Sequence, residues 1–277
     1  MKKTRIHGVW ILFLLSVVTC LQVKAQYMPV VFDKVYGDKN QIQLVCPLPG
    51  DEVALVGKEG QKYNLTWVER EGDVVFSLPL TGFTAVNEIA ELDNNRVLVV
   101  GQSTMPNVKG KKDRITLCGR IAVVERNGRI VTDIYAGDQG SNFLKGMLLR
   151  SGAFVVSGSE PKGADGRQGI LLKLDPTGSV VYQYKNAGGG YCDQFAVMGN
   201  SIEYICAAFS AGKDKEQALV VRLDDKGKPY YMTAIPAKQF VVTGLNANIN
   251  DGSVLVIGNS PTDGGIIYKI RPEGDIV

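Results

Sequence analysis

The sequence predicts an all-β fold, a β-propeller of five four-stranded blades whose last blade is completed by an N-terminal strand. Three observations predict it. One hairpin is rewritten five times: "NLTWVEREGDVVFSL", "RIAVVERNGRIVTDI", "ILLKLDPTGSVVYQY", "ALVVRLDDKGKPYYM" and the terminal "IIYKIRPEGDIV" each set β-branched and aromatic runs about a glycine. Two landmarks keep step with it. The turn glycines Gly72, Gly128, Gly178, Gly227 and Gly274 lie 56, 50, 49 and 47 residues apart. Strands ending at Gly57, Gly101, Gly158, Ala208 and Gly258 are spaced 44, 57, 50 and 50 residues. Finally, no stretch of any length carries the three-to-four spacing of an amphipathic helix. Four short strands repeated at this period suit a propeller blade, whereas solenoid coils are usually shorter.

The elements follow in order. Residues 1–25, "MKKTRIHGVWILFLLSVVTCLQVKA", have a basic start, an apolar run from Val9 to Val18 and a small-residue ending at Ala25. This is the layout of a secretory signal, too short in its apolar part for a comfortable transmembrane helix. Cleavage before Gln26 is expected, leaving 26–277 as a single propeller domain; a lipoprotein processed at Cys20 is the less favoured variant. No later segment is long and apolar enough to span a bilayer as a helix. "VVFDKVYG", Val30–Gly37, resembles the fourth strands "VVFSLPLTG", "IVTDIYAG" and "VVYQYKNAGG". It is therefore expected to supply the outer strand of the last blade, which "GDIV" only begins.

Within a unit the third is the clearest. Its strands are expected near "FLKGMLLR", "AFVVSG", "GILLKLD" and "SVVYQYK", with a polar loop "SEPKGADGRQ" between the second and third. Pro176 fixes φ and Gly178 can take the positive φ of a tight turn. Unit four departs, with Ala207 and Ala208 where glycine is expected and Pro229 in its last strand. A proline there points to an outer edge, where a missing donor costs little. The succession of "DGSVLVIGNS", "LLKLDPTGSVVY" and a Tyr/Ala–Gly segment resembles the repeats of secreted β-propeller proteins of Bacteroidetes-type bacteria. The resemblance covers Tyr27 to Val277. It implies an exported propeller and no particular activity.

The formal charge of +3 rests on Lys2, Lys3, Arg5 and Lys24, so beyond residue 25 it is −1. That gives no electrostatic footprint for nucleic acid or an anionic membrane. The single histidine, His7, falls in the signal segment. Ser–His–Asp and Cys–His catalysis and histidine metal sites are thereby excluded downstream. Cys46, Cys118, Cys192 and Cys206 remain, with no CxxC spacing; export permits disulfides, but the spacing chooses no pairing. Cys192 and Cys206 flank an expected turn at Gly199–Asn200 and could sit near each other across two strands, but "EYICAAF" reads as a buried strand, which favours small buried residues.

Carboxylates alone could serve a glycosidase. The acids expected on inner strands are Glu88, Glu91 and Asp193. Asp175 and Asp224 recur before the turn glycine, where an aspartate can bond backbone amides. "NAGGGYCD" lacks the following Lys–Ser/Thr of a phosphate loop, and "GADGRQG" lacks the alternating acids of a calcium loop. No cofactor, metal site or catalytic residue is assigned. The loops between second and third strands are read as long and charged, and they share one face with the connections between blades. Lys109, Lys111, Lys112 and Arg114 form the densest basic cluster. With Asp193 they are the candidate ligand-binding residues, since binding residues sit on loops held by rigid scaffolds. The expectation is a monomeric, secreted or periplasmic, non-catalytic scaffold that binds a protein or glycan at the cell envelope. The alternative is a carbohydrate-active hydrolase using paired carboxylates.

Overall fold

The computed structural model describes residues 41–93, 95–105, 117–163, 166–186, 190–198, 204–210, 217–248 and 250–277. The signal segment, the strand expected at Val30–Gly37, and Lys109, Lys111, Lys112 and Arg114 lie outside the described residues. What is described is an all-β protein of five antiparallel sheets, four with four strands and the last with three.

Blade 1 is β1 (Gln41–Pro47), β2 (Val53–Glu59), β3 (Lys62–Val68) and β4 (Val74–Pro79). Blade 2 is β5 (Phe83–Asp93), β6 (Arg96–Thr104), β7 (Leu117–Glu125) and β8 (Ile130–Ala136). Blade 3 is β9 (Asn142–Leu148), β10 (Phe154–Lys162), β11 (Gly166–Leu174) and β12 (Val180–Asn186). Blade 4 is β13 (Cys192–Met198), β14 (Tyr204–Phe209), β15 (Gln217–Leu223) and β16 (Pro229–Lys238). Blade 5 is β17 (Val241–Ala247), β18 (Val254–Ser260) and β19 (Gly264–Ile270), followed by a single bridge from Ile276 to Ile270. Strand order in every sheet is sequential, so each blade is a meander of hairpins. Below, the strands of a blade are called first to fourth.

Sheets pack face to face in chain order because both faces of each meander are apolar. One core joins blades 1 and 2 through Leu65, Trp67, Val97 and Val99. Leu98, Ile121, Phe143 and Ile170 join blades 2 and 3, and Val155, Leu171, Phe195 and Phe209 join 3 and 4. Ala208, Val220, Phe240 and Val256 join 4 and 5. A β-bulge sits at the same place in the first strand of every blade. It falls after Ile42, Val86, Phe143, Cys192 and Val242, which stand opposite Gly57, Gly101, Gly158, Phe209 and Gly258.

That register corrects the reading of unit four. The residue at the glycine position is Phe209, one place beyond Ala208. Its ring turns toward blade 3, over Gly169 and 5.5 Å from the ring of Tyr184. At Gly101 and Gly158 a side chain would instead collide with the carbonyls of Ala85 and Asn142. The polar loop expected in unit three is also corrected: β10 and β11 stay paired out to Lys162 and Gly166, so most of "SEPKGADGRQ" is hairpin. Blade 1 likewise turns between Glu59 and Lys62, which pair directly. Polar composition suggested loops there, but alternating side chains on an extended hairpin can be polar on both solvated faces.

The recurring turn is as expected. In all five blades the glycine amide donates to the carbonyl three residues earlier, at Glu69, Glu125, Asp175, Asp224 and Arg271. Each of these glycines has a φ between +78° and +105°, open to residues without a side chain. Asp175 and Asp224 each accept two backbone amides there, from Thr177 and Ser179 and from Lys226 and Lys228. Pro229 opens β16, the outermost strand of its sheet.

Candidate binding face

The sheets set the geometry of one rim. Blade-to-blade linkers and the connections between second and third strands emerge at the same strand ends, opposite the recurring glycine turns. Asp193, the second residue of β13, is therefore on the rim that carries the connection spanning residues 105–116 of blade 2. The cluster of Lys109, Lys111, Lys112 and Arg114 itself lies outside the described residues.

The roots of the blade 2 connection are firmly held. Thr104 and Leu117 are partners in the β6–β7 ladder. The Thr104 amide donates to the Gly82 carbonyl at 2.9 Å, and the Gly140 amide donates to the Leu117 carbonyl at 2.7 Å. Both linkers, before and after blade 2, thus grip the two ends of this connection. Arg120 fixes the first linker. Its guanidinium makes a bidentate pair with Asp133 at 2.7 and 3.0 Å and donates to the Thr81 carbonyl at 2.6 Å. It lies over the rings of Phe83 at 4.4 Å and Tyr135 at 5.0 Å. A planar fork stacked on two rings and held in plane by a carboxylate has little freedom left.

The second linker is held from blade 3. Arg167 donates to Ser159 Oγ at 2.8 Å and to the Gly140 carbonyl at 3.1 Å, and Gln102 Nε2 reaches the Ser141 carbonyl at 3.1 Å. Beside it Lys185 Nζ sits between Asp138 at 2.9 Å and Glu160 at 2.7 Å, and Gln168 donates to Glu160 at 2.6 Å. Glu160 is buried, so its charge relies on these donors. The Glu160 and Asp138 hydrogen bonds raise the Lys185 pKa, and Lys185 in turn lowers that of Asp138. The pair is therefore charged across the physiological range.

Inner-strand acids have structural employment. Glu88 accepts the Gly146 amide of blade 3 at 2.6 Å, while Asn87 donates to Asn142 Oδ1 and the Phe143 carbonyl at 2.7 and 2.6 Å. Burial pushes the Glu88 carboxyl above its usual pKa. Asp193 accepts a hydrogen bond from Ser210, whose Oγ in turn accepts the Val242 amide of blade 5 at 3.0 Å. Burial raises its pKa as well, against the Ser210 bond. Glu91 is exposed. Glu88 and Asp193 tie adjacent blades together; they belong to blades 2 and 4 and answer to different partners.

Cys46, Cys118, Cys192 and Cys206 are all free and buried. Burial raises every one of these thiols, Cys118 and Cys206 to about 11, so they are protonated at neutral pH and poor nucleophiles. Among the described residues no three His, Cys, Asp or Glu side chains are grouped to hold a metal ion.

Sequence reasoning missed Arg120, Asp138, Glu160, Arg167 and Lys185. Arg120 had a readable signal, being the one charge inside the apolar run "LCGRIAVV" of β7. The others are polar residues in polar stretches, distinguishable only once the linker between blades 2 and 3 folds against them.

No protein-family model matches the chain, and no curated protein matches it. Among solved structures it is similar to a protein from Lactobacillus plantarum, at 13% identity and a TM-score of 0.57, over 88% of this chain and 72% of that one. The WD40 domain of Neurospora crassa Pan2 (13% identity, TM-score 0.48) aligns with 86% of this chain and 64% of its own. Apocarotenoid oxygenase from Synechocystis (10%, 0.47) aligns with 84% of this chain and 59% of its own. The chain therefore spans less than two thirds of the last two. At such identities the likeness concerns fold alone. With five repeated meanders packed in chain order, it defines the class: a β-propeller.

Proposed function

We propose that the protein is an exported, non-catalytic scaffold that binds a protein or glycan partner at the cell envelope through the rim over blades 2 and 3. The observation that carries this reading is the double anchoring of the blade 2 connection, at Gly82 and Gly140, with Arg120 and Arg167 fixing those linkers. A long basic connection on rigid roots is a suitable binding device, because its ends cost no ordering entropy on binding. Lys109, Lys111, Lys112 and Arg114 are its contact residues, with Asp193 farther along the same rim. The basic side chains suit a partner bearing acidic groups, so binding should weaken with salt. Export rests on the layout of residues 1–25, and amino-terminal sequencing of protein recovered from the periplasm or envelope should begin at Gln26.

The test is a pull-down from envelope extract with the native chain and with Lys109, Lys111, Lys112 and Arg114 all changed to Glu. Loss of specific partners at unchanged melting temperature is the expected result. Identical partner sets from both proteins would overturn the assignment to this connection.

A further inference from the structure

The seam between blades 1 and 2 encloses a carboxylate. Glu52, just before β2, accepts Nε and Nη2 of Arg126 at 3.0 and 2.5 Å and the Trp67 indole N–H at 2.7 Å. Trp67 stands two places before Glu69, whose carbonyl accepts the turn glycine of blade 1, and Arg126 one place after Glu125, its equivalent in blade 2. Register carries these three positions to the seam between blades 4 and 5. Trp67 pairs with Ala54 as Arg222 pairs with Cys206, so Arg222 replaces Trp67, Tyr204 replaces Glu52, and Pro272, after Arg271, replaces Arg126. The cation has crossed the seam and the acid is gone.

Arg222 is nevertheless held as tightly as a paired arginine. It rises from β15, and the strands on either side supply Tyr204 from β14 and Tyr230 from β16. Their rings lie 4.7 and 5.2 Å from its Cζ, and its Nη1 donates to the Pro272 carbonyl of blade 5 at 3.3 Å. The guanidinium plane is thereby set, but its other edge, Nε and Nη2, makes no hydrogen bond among the described residues, and Nε is buried. A buried N–H without an acceptor is costly and uncommon. Elsewhere in the molecule this same edge is filled. Arg120, Arg126 and Arg129 each bring Nε and Nη2 to the two oxygens of one carboxylate, on Asp133, Glu52 and Glu125.

Blade 4 departs from its repeats at these positions. The counterparts of Arg222 are Trp67, Val123, Lys173 and Lys269, and those of Tyr230 in blades 1 to 3 are Val75, Val131 and Val181. Tyr230 lies on the outermost strand of its sheet and is 68% exposed, so its ring is the wall of this slot that can swing.

We propose that Arg222, flanked by Tyr204 and Tyr230, binds the carboxylate of an organic acid with an apolar body, which takes in this seam the place Glu52 takes between blades 1 and 2. The Tyr230 ring turns aside to admit the acid and then packs on its body. Two parallel donors match the two oxygens of a carboxylate. A tetrahedral anion would push oxygens out of the guanidinium plane, toward the negative faces of the two rings. The site is separate from the rim over blades 2 and 3 and does not depend on it.

The test is nitrogen-15 NMR of the arginine Nε–H groups of the native protein, with the Arg222 signal identified by its loss in Arg222→Lys. Titration with sodium benzoate or acetate should shift that signal to saturation, while sodium chloride at matched ionic strength should not. Benzoate should half-saturate at roughly five-fold lower concentration than acetate, since its ring packs on Tyr230. In Tyr230→Ala, an exposed replacement, that advantage should vanish while acetate still binds. No saturable shift with either acid would overturn the proposal, and an equal shift with inorganic phosphate would overturn the choice of carboxylate. Benzoate no tighter than acetate, or equally favoured in Tyr230→Ala, would remove Tyr230 from the site. Glu203→Gln, in the hairpin outside the described residues, is the internal control. If it alone moves the Arg222 signal and the acids do not, the fork is filled by its own chain and the site is refuted.

Discussion

The two ends of the blades obey different rules. At one end five glycine turns repeat a single hydrogen bond, and the next blade's turn is where a side chain from the preceding fourth strand lands. Phe76 packs on Gly128, Ile134 on Gly178, Tyr182 on Gly227 and Tyr231 on Gly274, with hypothetical Cβ atoms 3.3, 2.8, 2.5 and 2.9 Å away. At the other end the described connections of blades 1, 2 and 3 differ from one another. Blade 1 turns tightly after Glu59, blade 3 extends its ladder to Lys162, and blade 2 leaves residues 105–116 between anchored roots. The repeated end is construction and the unequal end is where chemistry can differ between blades, which is why binding is proposed there.

If that contrast holds, the largest stability effect should come from the repeated end. Gly227→Val combines a positive φ of 78° with a side chain driven into the Tyr182 ring. The left-handed conformation costs about 1–2 kcal/mol and overpacking about 1–3 kcal/mol more. A loss of about 3 kcal/mol in urea unfolding is expected, against almost none for replacing the exposed Gly60, which has open space at its Cβ, by Asn. Equal losses at both glycines would show that φ alone matters and that the turns do not hold blades together.

The next effect belongs to the rim. Arg120→Met keeps bulk but removes the pair with Asp133 and the bond to the Thr81 carbonyl. Asp133 remains partly hydrated, so the cost sits below that of a fully buried broken pair, at about 2 kcal/mol. Proteolysis within residues 105–116 should also quicken, because one root of that connection loses its brace. Unchanged cleavage would mean that the Thr104–Gly82 bond suffices.

The repeated end was legible in the sequence because its requirement is local. A glycine with positive φ and an aspartate capping amides two and four residues on leave their mark within a handful of positions. Strand order followed from the same period. The Gly227–Tyr182 contact was not legible, since it joins residues of different blades whose pairing depends on the packed sheets. Nor was the brace of Arg120, or the Lys185–Glu160–Asp138 cluster, where the partners are far apart in sequence and each is unremarkable alone. The shift at Phe209 was missed for a related reason. "EYICAAF" offers two small residues to a glycine template, and only the bulge opposite Cys192 decides between them.

Smaller effects separate two kinds of interblade carboxylate. Glu52 accepts Arg126 of blade 2 at 3.0 and 2.5 Å and the Trp67 indole at 2.7 Å, and Arg126 depresses its pKa despite partial burial. A lowered folded pKa contributes stability that is present above the unfolded value and fades as pH falls through the folded one. Glu52→Gln should therefore cost about 1 kcal/mol at neutral pH, and the deficit relative to the native chain should shrink in acid.

Glu88 should behave in the opposite sense. Burial raises its pKa, outweighing the Gly146 amide and the charge of Lys145. Its protonated form is thus favoured by folding, and that contribution is full below the unfolded value and lost as pH rises through the folded one. Glu88→Gln keeps an oxygen for the Gly146 amide while removing the titration. Relative to this variant, the native chain should lose stability as pH climbs from the unfolded Glu88 value through the folded one, and run parallel above it. The measurement is urea unfolding of both proteins across acid to neutral pH. A native curve that instead gains on the variant as pH rises would mean the carboxylate is stabilised in place, and that Glu88 belongs with Glu52 as an ionic tie between blades.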